Sequence, residues 1–254
     1  METTAETPSP SGTPGPRPLV PRDDPDALIE LHGVTKTYRT GETEFTALDR
    51  IDLRIAAGEF VGVVGPSGSG KSTLLNLMAA IDRPDRGDVV VGGVEVSQLS
   101  ENDAARWRGR NLGVIFQFFQ LLPTLSLADN VMLPMDLCDV HPRAERPEVA
   151  RDLLGRVGLA GHADKLPSQV SGGQQQRAAI ARALANDAPI IVGDEPTGNL
   201  DSASAASMMA LFDTLVAAGR TVVLVTHDRE LAERTGRTVT VRDGVLTEQG
   251  GGSR

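Results

Sequence analysis

Gly65-Pro66-Ser67-Gly68-Ser69-Gly70-Lys71-Ser72 satisfies G-x-x-x-x-G-K-[ST], the pattern of a loop that wraps a polyphosphate. Phe60-Val61-Gly62-Val63-Val64 before it reads as a buried strand, and Thr73-Leu74-Leu75-Asn76-Leu77-Met78-Ala79-Ala80 after it reads as a helix. The loop therefore has the strand-turn-helix setting it requires. A polyphosphate needs several backbone N–H donors converging on it, no side chains in the way, and the positive end of a helix dipole behind them. Glycine permits that wrap. Lys71 then reaches the terminal phosphates as a compact charge, and Ser72 offers a hydroxyl to the magnesium ion that travels with the nucleotide. Of the 25 basic residues only Lys36, Lys71 and Lys165 are lysines, so a chain that otherwise uses arginine places an ammonium here. A planar guanidinium would not fit. The loop alone says nucleotide binding and leaves open what the nucleotide drives.

A chain of 254 residues, 40% hydrophobic, can bury a substantial core. No apolar run approaches the roughly 20 residues that span a bilayer, and the N-terminus lacks the basic start and apolar core of a secretion signal, so any membrane role is expected to come through a partner. Cys138, the single cysteine, leaves no internal disulfide and fits a reducing cytoplasm. The formal charge of −9 argues against a nucleic-acid binder that relies on bulk electrostatics. Arg106-Trp107-Arg108-Gly109-Arg110 interleaves an aromatic with basic residues. Following Glu101-Asn102-Asp103, it reads instead as the solvated end of a short helix, with cations favoured by the dipole and Trp107 over the edge of the core. No nucleic-acid partner is expected.

Seven prolines among Ser, Thr and Gly make residues 1–26 a disordered leader, and 249–254 reads as a flexible tail. Residues 27–32 alternate like a strand, and 48–55 resume the alternation after the turn-prone Thr40-Gly41-Glu42, which predicts antiparallel strands ahead of the loop strand. Val89-Val90-Val91 continues that sheet. Residues 112–116, 190–192 and 221–225 read as further buried strands, while Val149, Leu153, Leu154 and Val157, and then Met208, Leu211, Phe212 and Leu215, recur at helical spacing. Strands alternating with helices predict an α/β fold with a mainly parallel sheet. No internal repeat is present, so one chain supplies one nucleotide-binding unit.

Ligands of open α/β sheets lie beyond the C-terminal strand ends, so the polar residues there are read together. Asp194-Glu195 after 190–192 offers one carboxylate for magnesium and one to polarise water, although an Asp there also suits a helix cap. His227 after 221–225 can align water with a terminal phosphate, or be an ordinary surface histidine. Gln117 after 112–116 can reach metal or water and means nothing by itself. Ser171-Gly172-Gly173-Gln174 opens a helix and reads as a second anion site or as a plain serine cap.

Taken in this order, the set resembles the ATPase subunit of ATP-binding cassette (ABC) transporters over residues 27–248. The phosphate loop matches at Gly65 to Ser72, Gln117 as the Q-loop, Ser171 to Gln174 as the signature, Asp194 and Glu195 as the Walker B pair, Asn199-Leu200-Asp201 as the D-loop, and His227 as the switch histidine. The stretches Gly113-Val114-Ile115-Phe116-Gln117-Phe118-Phe119-Gln120-Leu121-Leu122-Pro123-Thr124-Leu125 and Asp194-Glu195-Pro196-Thr197-Gly198-Asn199-Leu200-Asp201 are similar to the branch of macrolide-exporter and lipoprotein-release ATPases. Two departures stand out. The leader has no counterpart, and Gly193 replaces the usual apolar residue, which is expected to loosen the strand beside the carboxylates and slow turnover.

The resemblance implies a P-loop NTPase core with an N-terminal antiparallel β subdomain and an α-helical subdomain inserted at about 118–166. It implies ATP and Mg2+, with ATP held by Tyr38, Gly65, Pro66, Ser67, Gly68, Ser69, Gly70, Lys71, Ser72 and Thr73, and with Tyr38, the sole tyrosine, stacked on adenine. Metal contacts would be Ser72, Gln117 and Asp194, and the catalytic residues Glu195, His227 and Gln117. Two copies would close head to tail, so that Ser171, Gly172, Gly173, Gln174 and Asp201 reach the partner's ATP. A separate membrane permease would dock at an apolar face made of Phe118, Phe119, Leu121, Leu122 and Pro123, some of which pack inside the subdomain. This implies ATP hydrolysis coupled to transport at the cytoplasmic face of a membrane. The alternatives are a nucleotide-gated scaffold with little turnover, or a soluble ABC ATPase of repair or translation; the latter classes use a long coiled coil or two cassettes per chain.

Overall fold

A computed structural model describes residues 27–198 and 200–249. The expected leader, the end of the tail and Asn199 lie outside the described residues. Along the chain come β1 (Ala27–Thr40), β2 (Thr43–Ala56), β3 (Phe60–Val64), α1 (Lys71–Met78), β4 (Arg86–Val91), β5 (Val94–Glu95), α2 (Glu101–Asn111) and β6 (Leu112–Ile115). Next are α3 (Leu127–Cys138), α4 (Arg146–Arg156), α5 (Gly172–Ala183), β7 (Ile190–Asp194), α6 (Ser202–Ala217), β8 (Thr221–Thr226), α7 (Arg229–Glu233), β9 (Arg237–Arg242) and β10 (Val245–Gln249).

The strands make two sheets. The first is antiparallel, in the order β2-β1-β4-β5, and includes Val89, Val90 and Val91 as the alternation predicts. Its hairpin closes through Gly41-Glu42, with Thr40 opposite Thr43 and a glycine φ of 61° at the first turn position, where two-residue hairpins favour glycine. The second sheet runs β10-β9-β3-β8-β7-β6, parallel except for β10 at the edge.

Two of its strands, β9 and β10, are not among those expected, although Thr238-Val239-Thr240-Val241 alternates and buries both valines. Their signal is Asp243-Gly244, both at positive φ (51° and 73°), a pair that two-residue hairpin turns favour. Gln249, expected in the tail, closes β10 opposite Thr238.

Both faces of the parallel sheet are covered, which explains its continuous apolar strands. Val61, Val63, Ile190, Val192, Val223 and Val225 face one core with α1 and the antiparallel sheet. Their neighbours Phe60, Ile191, Val222 and Leu224 face the other core, with α3, α4, α5 and α6. Leu153 and Leu154, and Met208 and Phe212, are the buried stripes of α4 and α6. α2 ends in Arg108 and Arg110, with Trp107 packed on the core edge as its composition predicts.

Gly193 stands within the regular ladder of β7. It pairs with Ile115 on one side and Leu224 on the other, and Leu224 Cδ2 comes within 2.9 Å of where a Cβ would stand.

Candidate active site

The phosphate loop joins β3 to α1 and is held from behind by the β9–β10 turn. A Cβ on Gly65 would stand 2.0 Å from the Val241 carbonyl oxygen, and one on Gly70 2.3 Å from that of Ala47. Gly244 donates its N–H to Ser69 O at 3.2 Å and accepts from Asp49 N–H at 2.8 Å, tying loop, hairpin and β2 together. Lys71, which is buried, folds its ammonium across the loop and donates to Gly65 O and Pro66 O, both at 2.8 Å.

One residue further, Ser72 Oγ donates to Asp194 Oδ2 at 2.8 Å, bringing the start of α1 to the end of β7. Burial pushes the Asp194 carboxyl above the usual range; the Ser72 hydrogen bond and the Lys71 charge oppose this, while the Glu195 charge adds to it. The Ser72 and Asp194 oxygens are hard donors that suit Mg2+, which keeps waters and takes further ligands from phosphates. Among the described residues no cluster of three or more His, Cys, Asp or Glu could hold a metal. Two oxygen donors with room for phosphate ligands fit a metal carried in with a nucleotide.

Glu195 follows with φ 47°, a left-handed backbone that costs about 1–3 kcal/mol in a non-glycine residue. Its side chain is 11% exposed. Oε1 accepts the His227 backbone N–H at 2.9 Å and lies 2.7 Å from His227 Nδ1, and Oε2 accepts the Thr226 hydroxyl at 3.3 Å. An ionised carboxylate only accepts, so Nδ1 carries the proton of this contact and Nε2 is the ring atom left to meet another group. Gln117 lies two residues past β6; because Ile115 pairs with Gly193, its strand end adjoins the one bearing Asp194.

Ser171 is a serine cap. Its hydroxyl accepts from Gln174 N–H at 3.3 Å, its own N–H donates to Gln174 Oε1 at 2.9 Å, and Gln174 Nε2 lies 3.2 Å from His162 Nε2. The cap leaves Ser171 and Gly172 exposed at the start of α5. Asp201 likewise caps α6, and the Ser204 backbone N–H, with its hydroxyl, holds the carboxyl below the usual range. Tyr38 lies on β1 with Thr73 of α1 in reach, and its phenol donates to Asp82 Oδ2 at 2.8 Å.

A model of the ABC transporter family matches residues 48–198. The chain belongs to that family. It is 46% identical over 224 residues to the macrolide export ATP-binding/permease protein MacB of Hyphomonas neptunium, a match covering 88% of this chain and 35% of that protein. It thus spans about a third of the length of such relatives. It is 47% identical over 221 residues to the ABC transporter ATP-binding protein MJ1508 of Methanocaldococcus jannaschii, covering 87% of this chain and 98% of the relative. A dimeric ATP-binding cassette, MJ0796, solved in a post-hydrolysis state with ADP and Pi, superposes with a TM-score of 0.83 at 40% identity, covering 89% of this chain and all of the other. The resemblance to the macrolide-exporter branch holds.

This chain also uses residues that motif reading passes over. Arg182 on α5 donates to the carbonyls of Phe119, at 2.8 Å, and Gln120. Those two residues have φ of 45° and 54°, so the signature helix holds the segment after Gln117 in a strained shape. Asn130 on α3, fully buried, accepts Leu122 N–H at 2.7 Å and donates to the carbonyls of Leu122, Leu125 and Ser126. A cleft of about 830 Å³ opens between α2, α3 and α5, with Leu133, Leu137, Gln120 and Arg182 in its walls. Of the expected apolar face, Phe118 and Leu122 are exposed, while Leu121 packs on the core.

Proposed function

We propose that this chain is the energy-coupling ATPase of a membrane complex and that two copies close head to tail over two ATP molecules. Each triphosphate lies in the 65–72 loop of one copy, with Tyr38 against the adenine and Thr73 beside it, and meets Ser171, Gly172, Gly173, Gln174 and Asp201 of the other. The exposed, serine-capped helix start at Ser171 suits such a role, since a helix N-terminus presents N–H groups to an anion. The dimeric state of MJ0796 supports the pairing.

Ser72, Asp194 and Gln117 would hold Mg2+, which when bound neutralises charge on the β- and γ-phosphates. Glu195 takes a proton from the attacking water as its oxygen bonds to the γ-phosphorus and the bond to ADP breaks. His227 Nε2 faces the same water and the γ-phosphate, with the ring oriented by Glu195.

The observation that carries the reading is the continuous chain of contacts Ser72–Asp194 and Glu195–His227 at adjoining strand ends. The exposed Phe118 and Leu122 would receive a cytoplasmic helix of a permease in a separate chain, placing the ATPase at the cytoplasmic face and making the complex a translocase. The ATP-binding/permease composition printed for MacB supports that partner. Among the described residues no helix is long and apolar enough to cross a membrane.

The test is Glu195→Gln. A positioned general base contributes about 10²- to 10⁴-fold, so phosphate release should fall by that factor while ATP binding persists. Wild-type turnover in the variant would remove Glu195 from the role.

A further inference from the structure

Apart from the phosphate loop, a second polar cluster is built around Lys36, the first of the three lysines. Tyr38 Oη donates to Asp82 Oδ2 at 2.8 Å. The other oxygen of Asp82 is held twice, by Lys36 Nζ at 2.7 Å and by Arg83 N–H at 2.7 Å, and Lys36 also donates to Arg83 O at 2.8 Å. The Lys36 side chain is 12% exposed, its ammonium lying 5.1 Å from the centroid of the Tyr38 ring over one face. The segment bearing Asp82 folds back on the helix that follows the phosphate loop, with Ile81 and Asp82 N–H both donating to Asn76 O. The phenol is therefore fixed at its tip and covered on one face, and the ring remains 38% exposed.

We propose that Asp82, braced by Lys36, is a positioning residue that presets the Tyr38 ring for a purine base and ties its pose to the phosphate-loop helix. The inference rests on the reading of Tyr38 as the base-stacking residue. A ring free to rotate must be ordered when the base binds, whereas a tethered ring has been ordered on folding, so the tether strengthens base recognition without touching the nucleotide. Burial works to raise the Asp82 carboxyl, but the hydrogen bonds from Lys36, Arg83 N–H and Tyr38 outweigh it and hold the group below the usual range. Burial raises the Tyr38 phenol, keeping it a neutral donor. The contact is thus a charge-assisted hydrogen bond, among the stronger kinds.

The experiment compares ATP with inorganic tripolyphosphate, which has no base, on wild type, Tyr38→Ala, Tyr38→Phe, Asp82→Ala and the Tyr38→Phe/Asp82→Ala double variant. Tyr38→Phe and Asp82→Ala should each weaken ATP binding about 3- to 10-fold, leave tripolyphosphate binding unchanged, and raise KM for ATP with kcat within about twofold. The double variant should be no weaker than the worse single, because both remove one contact. Should Asp82→Ala fail to fold, Tyr38→Phe removes the same bond and leaves the Lys36–Asp82 pair in place. Unchanged ATP affinity in Tyr38→Phe, or equal losses for ATP and tripolyphosphate, overturns the tether. Unchanged ATP affinity in Tyr38→Ala overturns the stacking role itself.

Discussion

Gly65, Gly70 and Gly193 show how differently one residue type can be used within a single site. At Gly70 the backbone has φ 105° and a Cβ would sit 2.3 Å from a carbonyl oxygen of β2, an atom that cannot swing aside. At Gly193 the obstacle is Leu224 Cδ2, a methyl at the end of a rotatable side chain. Gly70→Ala is therefore expected to abolish ATP binding, measured by equilibrium titration. Gly193→Ala should be close to neutral in thermal unfolding, since the backbone restriction gains about 0.5–1 kcal/mol against a small shift of Leu224. A Gly193→Ala variant that turns over several-fold faster would instead restore the idea of a loosened strand. The phosphate loop was legible in the sequence because its constraint is local: positive φ, close backbone approach and a helix start lie within eight consecutive residues. The Glu195–His227 contact was not, because it joins residues 32 apart that only the pairing of β7 with β8 brings together.

Elements behave in the same way. α4 and α6 announce themselves by apolar spacing, and β3, β7 and β8 by unbroken apolar runs. Asn130 gives no such signal, because its worth depends on the turn at 122–126 folding its carbonyls around it. Its removal takes the partner from Leu122 N–H and from the Leu125 carbonyl, each costing about 1–3 kcal/mol if buried, while Leu122 O and Ser126 O keep the backbone donors Leu125 N–H and Asn130 N–H. Asn130→Ala should accordingly lower stability by more than about 2 kcal/mol, read by denaturant unfolding, and a loss below half of that would contradict the assignment. Arg182 was equally silent, since its carbonyl partners lie 62 and 63 residues upstream. Burial lowers its guanidinium pKa without bringing deprotonation into reach. Arg182→Lys keeps the charge but loses the fork that spans two carbonyls, so amide exchange of residues 117–121 should speed up relative to wild type. Unchanged exchange would show that the strained segment stands without it. The β9–β10 hairpin went unread although Asp243-Gly244 offered its turn signal, and its service to the phosphate loop emerges only from the Gly244–Ser69 contact.

For the whole molecule, two cores on either side of one parallel sheet bring four strand ends to one edge, and the chemistry collects there. Fold class and motif order could be read from the chain because each rests on short-range patterning. How the signature serves a site could not: Ser171 spends its hydrogen-bonding groups on its own helix cap, and a partner surface leaves no trace in the spacing of one chain. In the proposed function each copy builds half of a reaction chamber and takes the other half from a second copy. Sedimentation velocity of Glu195→Gln with excess ATP and Mg2+, beside the same variant carrying Ser171→Arg, tests it most directly. The first should form a nucleotide-dependent dimer, and the second should stay a monomer that still binds ATP. A Glu195→Gln protein that binds ATP and stays monomeric, while the wild type hydrolyses ATP at a rate independent of its own concentration, would contradict it.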